Sequence, residues 1–270
     1  MRLSAICVLA ATLLTAVPLA GQERDRLDSK SELLGWEGVG RLDLQNGSCT
    51  GTLIAKDLVL TAAHCVVDKS SGDILPKARM RFHAGYTHGQ TAASRSIEKV
   101  IVAEGYHPDA NVDLTRHVQT DLALLRLDSP IFSTEAEPFK VHASNRSNSK
   151  VTLVSYGRGR NQSLQRESGC RHKETYRGGL MTFDCDVTFG SSGAPVFTSV
   201  DGRLRILSVI SMMSEAPGKD KEAIGMTLPE TVAGMKRKMR NDAARAPVSA
   251  GAKRVIVGQR SSGARFVTVD

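Results

Sequence analysis

Three short stretches carry residue types suited to acyl transfer. Thr61-Ala62-Ala63-His64-Cys65 offers a histidine, and Thr120-Asp121-Leu122-Ala123-Leu124-Leu125-Arg126-Leu127 an aspartate heading an apolar run. Gly190-Ser191-Ser192-Gly193-Ala194-Pro195 offers a serine in a turn. A hydroxyl nucleophile needs a base to take its proton and a carboxylate to orient that base. The order His, Asp, Ser differs from the two other common hydrolase orders, Ser–Asp/Glu–His and Asp–His–Ser.

Each residue also has a plainer reading. A lone histidine beside a strand is more often a packed side chain than a catalyst, although an imidazole with a pKa of about 6.5 can give and take protons near neutrality. An aspartate at the edge of a buried run is costly unless something satisfies it, and a histidine N–H would do so. Asp109, Asp113 and Asp128 compete with Asp121 for that part. A Gly/Ser turn is common in loops. Here the glycine two positions before Ser192 would let backbone N–H groups face a developing oxyanion.

Taken together, Leu58–Cys65, Gly105-Tyr106-His107-Pro108 with the Asp121 run, and Gly-Ser-Ser-Gly-Ala-Pro resemble the motifs of the chymotrypsin/trypsin-like serine proteases. The resemblance spans about Gly38 to Leu228 and selects Asp121 over its neighbours. It implies His64 as general base, Asp121 as its orienting carboxylate, Ser192 as nucleophile, and the N–H groups of Gly190 and Ser192 as the oxyanion hole. Vertebrate digestive members carry an aspartate before the nucleophile, which pairs with a newly released N-terminal amine. Here that residue is Ser191, and no Ile-Val-Gly-Gly-like start precedes Gly40. The chain therefore looks more like the bacterial trypsin-like and glutamyl-endopeptidase branch.

Specificity residues follow from the same resemblance. Asp186, six before the nucleophile, would lie at the base of the primary pocket and favour arginine or lysine. Val209-Ile210-Ser211-Met212-Met213 would form the pocket wall, with Ser211 presenting backbone to substrate and Met213 narrowing the pocket. Glutamate-specific relatives carry a histidine just before that serine; Ile210 stands there instead, which argues against glutamate. The implied activity is a secreted or periplasmic serine endopeptidase acting on proteins or peptides, needing no cofactor and no metal. A non-catalytic homologue that binds peptides or anionic surfaces is the alternative from another class, and an esterase on the same site is a third.

The elements that must position these residues are short. Arg41–Leu44, Cys49–Ile54, Leu58–Thr61, Arg79–His83, Val100–Val102, Leu122–Leu127, Val151–Val154, Met181–Phe183, Ala194–Phe197 and Ile206–Ser211 read as strands between turn residues. Few helical periods lie between them, so the class is all-β. The resemblance implies two antiparallel six-stranded β-barrels, about 38–130 and 145–228, with the active site in the cleft between them. Asp128–Lys150 reads as the connector, Thr231–Arg240 as a short C-terminal helix closing a 38–240 peptidase domain, and 21–37 as an N-terminal segment in which Gln22–Leu34 is charged and expected to be poorly ordered.

Met1–Ala20 has a charged start and a short apolar middle, the pattern of a signal peptide; an uncleaved anchor is its rival. Removing it leaves Cys49, Cys65, Cys170 and Cys185, which allow three pairings. Sequential pairing closes two short loops, and its first bridge matches the one beside the catalytic histidine in trypsin-like enzymes. Each such loop would contribute roughly 3 kcal/mol by chain entropy. No Cys-x-x-Cys or His-Glu-x-x-His element suggests zinc. The net charge is +8, and the last 42 residues hold nine basic against three acidic groups. Residues 241–270 are thus expected to form a basic, flexible tail able to touch anionic surfaces. Phe266 is the lone aromatic there, so no specific nucleic-acid partner is expected, and the protein is expected to be a monomer.

Overall fold

The computed structural model describes residues 23–109, 113–142, 147–214 and 221–244. The expected leader (1–20) and all but the first four residues of the expected tail lie outside them. The chain enters through β1 (Glu23–Leu27) and a single helical turn, α1 (Lys30–Leu33), whose start is fixed by a capping box between Ser29 and Glu32. The N-terminal segment expected to be poorly ordered is therefore structured. β1 pairs antiparallel with a long strand of the second half, and Leu27 and Leu33 are buried. A charged sequence such as Glu-Arg-Asp-Arg-Leu hides a strand because most of its side chains pair on the surface rather than enter the core.

Six strands then close on themselves: β2 (Val39–Leu44), β3 (Gly47–Ala55), β4 (Leu58–Thr61), β5 (Arg81–Ala84), β6 (Ala93–Val102) and β7 (Ala123–Leu127), in the order β2-β3-β4-β7-β6-β5. The β2–β5 ladder seals the barrel, with Leu42 opposite Phe82. Closure removes both sheet edges. Leu42, Leu53, Val59, Phe82, Val100 and Leu125 pack within one buried cluster. Before β7 stands a helix that the sequence reading lacked, α2 (Leu114–Thr120), capped by Asp113, whose carboxylate accepts from the N–H groups of Thr115 and Arg116.

The connector contributes a two-residue strand, β8 (Lys140–Val141). The second barrel comprises β9 (Lys150–Ser155), β10 (Leu164–Thr175), β11 (Leu180–Phe183), β12 (Pro195–Val200), β13 (Arg203–Ser214) and β14 (Glu222–Met226). Its ladder runs β10-β11-β14-β13-β12-β9 and closes through β9–β10; β1 adds to β10 and β8 runs parallel to β13. The architecture is thus two antiparallel six-stranded barrels, as expected. The last element, α3 (Pro229–Ala244), outruns the expected helix at both ends. Val232, Met235 and Met239, spaced three and four apart, are its buried stripe. Lys99 reaches Asp242 at 2.9 Å, so the helix crosses the boundary at 240 drawn from composition.

Candidate active site

His64 sits where β4 runs out. Ala63–Cys65 form one 3-10 turn, and Cys65 is bonded to Cys49 of β3. The second bridge joins Cys170 to Cys185, so both sequential pairs form. Asp121 is the residue that ends α2, its backbone N–H capping Val118 O at 3.2 Å. Its side chain is fully buried. One carboxylate oxygen accepts from the His64 backbone N–H at 2.8 Å, and the other lies 2.7 Å from His64 Nδ1. The Ser211 hydroxyl, from β13 of the other barrel, donates to that second oxygen at 2.5 Å. A buried carboxylate with three donors is satisfied, so it can remain charged. Burial acts to raise the Asp121 pKa, but the His64 charge and the bonds from His64 and Ser211 outweigh it and hold it below the ordinary carboxylate value. Burial likewise disfavours the His64 imidazolium, and Asp121 reverses this, raising the His64 pKa above the usual histidine value.

This geometry fixes the tautomer. With Nδ1 bonded to the carboxylate, the proton sits on Nδ1 and Nε2 carries the free lone pair. His64 and Ser192 line one open cleft of about 920 Å³ between the barrels. The loop bearing Ser192 is held by backbone and hydroxyl contacts rather than by an ion pair. Thr50 N donates to Ser192 O at 2.9 Å, and Thr50 Oγ1 donates to Gly190 O at 2.9 Å while accepting from Tyr156 N at 3.0 Å. Ser191 is buried; its hydroxyl donates to Ser155 Oγ at 3.2 Å and accepts from Thr188 N at 3.4 Å. Gly190 has φ +90°, and a Cβ there would meet Tyr156 O at 2.4 Å. Only glycine fits this turn. Neither the Gly190 nor the Ser192 N–H is used by a backbone carbonyl among the described residues, which leaves both free to face a ligand oxygen.

Of the expected specificity residues, Ser211 and Met213 line the cleft with Val187 and Ile210. Asp186 is not among the lining residues. Its carboxylate is held by Arg24 Nη2 of β1 at 2.5 Å and approached by Arg160 Nη1 at 3.5 Å. Its own N–H donates to the buried carboxylate of Glu167 at 3.0 Å, which Arg24 also pairs at 3.0 Å. The sequence offered no sign of this cluster, because Arg24 and Asp186 lie 162 residues apart. The Ser211 hydroxyl on Asp121 was also missed: the sequence reading gave Ser211 only a backbone part. Cys49, His64 and Cys65 bring potential metal ligands within 4.8 Å, but the two sulfurs are bonded to each other and are not available as thiolates.

Paired six-stranded barrels, with a histidine–aspartate couple from one lining the same cleft as a serine from the other, define the class of chymotrypsin-like folds. A solved structure titled as Glu endopeptidase in complex with MPD superposes on 83% of this chain and all of its own length, with a TM-score of 0.66 and 18% identity. The sequence model of the trypsin family matches residues 36–229, and the chain belongs to that family. A glutamyl endopeptidase of Bacillus licheniformis is 27% identical over 163 residues, covering 58% of this chain and 47% of the relative. A modular serine protease of Drosophila melanogaster is 36% identical over 90 residues, 30% of this chain and 13% of the relative. The chain thus spans less than half the length of these curated relatives.

Proposed function

We propose that this protein is an exported serine endopeptidase, acting on peptide bonds through an acyl-enzyme on Ser192. The observation that carries the reading is the fully buried Asp121 carboxylate at 2.7 Å from His64 Nδ1, beside a cleft that His64 shares with Ser192. In the proposed cycle His64 Nε2 takes the Ser192 proton as Oγ attacks the substrate carbonyl. The Gly190 and Ser192 N–H groups receive the oxyanion. His64 then gives the proton to the leaving amine, and water, activated by the same nitrogen, releases the acid. Asp121 favours the imidazolium formed midway without accepting its proton. The two disulfides support an oxidising compartment as the working site.

The preference at the residue before the scissile bond is set apart from both charged classes. Arg24 and Arg160 face Asp186 and Glu167, two formal cations against two formal anions, so the cluster offers no net charge to a substrate side chain. Val187, Ile210 and Met213 give the cleft an apolar wall. This supports an uncharged, apolar side chain over the arginine or lysine expected from Asp186, and over the glutamate suggested by the name of the Bacillus relative. An organophosphonate probe tests the activity: it should label the wild type and not Ser192→Ala. Absence of labelling in a folded, disulfide-intact wild type would overturn the reading.

A further inference from the structure

Among the described residues, one cation of the cleft has no counter-ion. Arg158 lines it, is exposed, and among the described residues meets no carboxylate within 4.0 Å. Its guanidinium carbon lies 4.2 Å from the centre of the Phe189 ring, and its backbone N–H donates to Phe189 O at 2.6 Å. Phe189 is 59% exposed and directly precedes Gly190. An exposed aromatic beside the proposed oxyanion hole, covered by an unpaired arginine, is a preformed flat cationic platform. The other arginine of this end is already matched. Arg41 is clamped by Asp43 at 2.6 and 2.8 Å and lies over Tyr86. Burial opposes the Asp43 charge, yet His83 and Arg41 outweigh it and hold its pKa at about 2, so the Arg41 charge stays cancelled.

The β2–β3 hairpin connects the platform to the side of the cleft that holds His64. Arg41 Nη1 donates to Asn161 O of the Arg158 loop at 3.2 Å, and Cys49 ties β3 to Cys65 beside His64. Because the histidine protonates the leaving amine, the released part of the substrate departs on its side. We infer that Arg158, stacked on Phe189, selects peptides with an acidic side chain in the first two positions after the scissile bond. This rests on the proposed peptidase reading and adds a substrate class to it.

Two measurements separate the inference from that reading. In quenched peptides that vary only at those two positions, the wild type should favour Asp or Glu over Lys by about 3- to 10-fold in kcat/KM, the scale of a partly screened single charge pair. The ratio should approach unity in Arg158→Ala, invert in Arg158→Glu, and shrink in the wild type as salt rises. In the inert Ser192→Ala protein, a fluorescent acidic peptide should bind more tightly than its lysine counterpart, and Arg158→Glu in that background should remove the difference. Cleavage without acidic preference, or preference retained in Arg158→Ala, overturns the inference and leaves the peptidase standing. Charge-selective binding that depends on Arg158, in a protein the organophosphonate does not label, overturns the peptidase and keeps the inference.

Discussion

Replacing Ser211 with alanine isolates the contribution of one hydroxyl to the charged state of Asp121. The Ser211 bond is 2.5 Å long, its residue is 5% exposed, and Asp121 is fully buried, so water is poorly placed to replace the lost donor. A hydrogen bond to a charged group contributes roughly 1.5–3 kcal/mol. At about 2–4 °C per kcal/mol for a domain of this size, the melting temperature at pH 7 should fall by roughly 3–12 °C. The pH dependence tests the cause. The charge-assisted part of the bond needs the ionised carboxylate, whose folded pKa is depressed. Its contribution is therefore complete above the unfolded aspartate value of about 3.9 and is lost as pH falls through the lower folded value. Paired thermal melts of wild type and Ser211→Ala between pH 7 and pH 2 read this directly. A gap that persists undiminished in acid, or no gap at neutral pH, would refute the account of Asp121 as a charge held by three donors.

Activity of the wild type on a neutral substrate should fall in acid around an apparent pKa above the ordinary histidine value of about 6.5, since His64 must be neutral to act and Asp121 raises its pKa. Asp121→Asn should move that limb to lower pH while lowering kcat by several orders of magnitude; an unmoved limb would separate the titration from Asp121. Ser192→Ala should abolish hydrolysis, whereas Ser191→Ala, which loses only hydroxyl contacts to Ser155 and Thr188, should keep most activity and melt slightly lower. Gly190→Ala must fit a Cβ 2.4 Å from Tyr156 O at φ +90°, and should be expressed in lower yield with little activity. Arg24→Ala leaves the buried Glu167 without its cation, so it should lower stability by at least about 1 kcal/mol in denaturant titration.

The sequence was most legible where local chemistry and resemblance agreed. Strands with apolar alternation and the all-β class could be read from neighbouring residues, while the Cys49–Cys65 bridge rested on short loop closure together with the resemblance. β10 escaped because Leu-Gln-Arg-Glu-Ser-Gly-Cys-Arg-His-Lys-Glu-Thr looks like a solvated loop; only its pairing with β1, β9 and β11 shows why so polar a run is extended. α2 escaped because seven residues with one buried position carry no readable period. The least legible features were ionic. Asp186 was assigned by its distance from Ser192, but its environment is decided by Arg24, brought in by a strand that composition alone marks as unstructured. Side chains that meet across more than a hundred residues leave no trace in spacing.

Thr50 has a consequence for when the protein becomes able to act. Its side chain and backbone join the histidine-bearing barrel to the Ser192 loop, over sequence separations of 106 residues to Tyr156 and 140 to Gly190. Such distant partners meet late, because loop closure must precede any reward from the contact. Neither half alone holds both the histidine and the serine. On the proposed reading, hydrolysis therefore waits for the two halves to dock. In a refolding experiment, the appearance of activity should lag behind the recovery of β-sheet signal, timing the moment at which the two barrels dock.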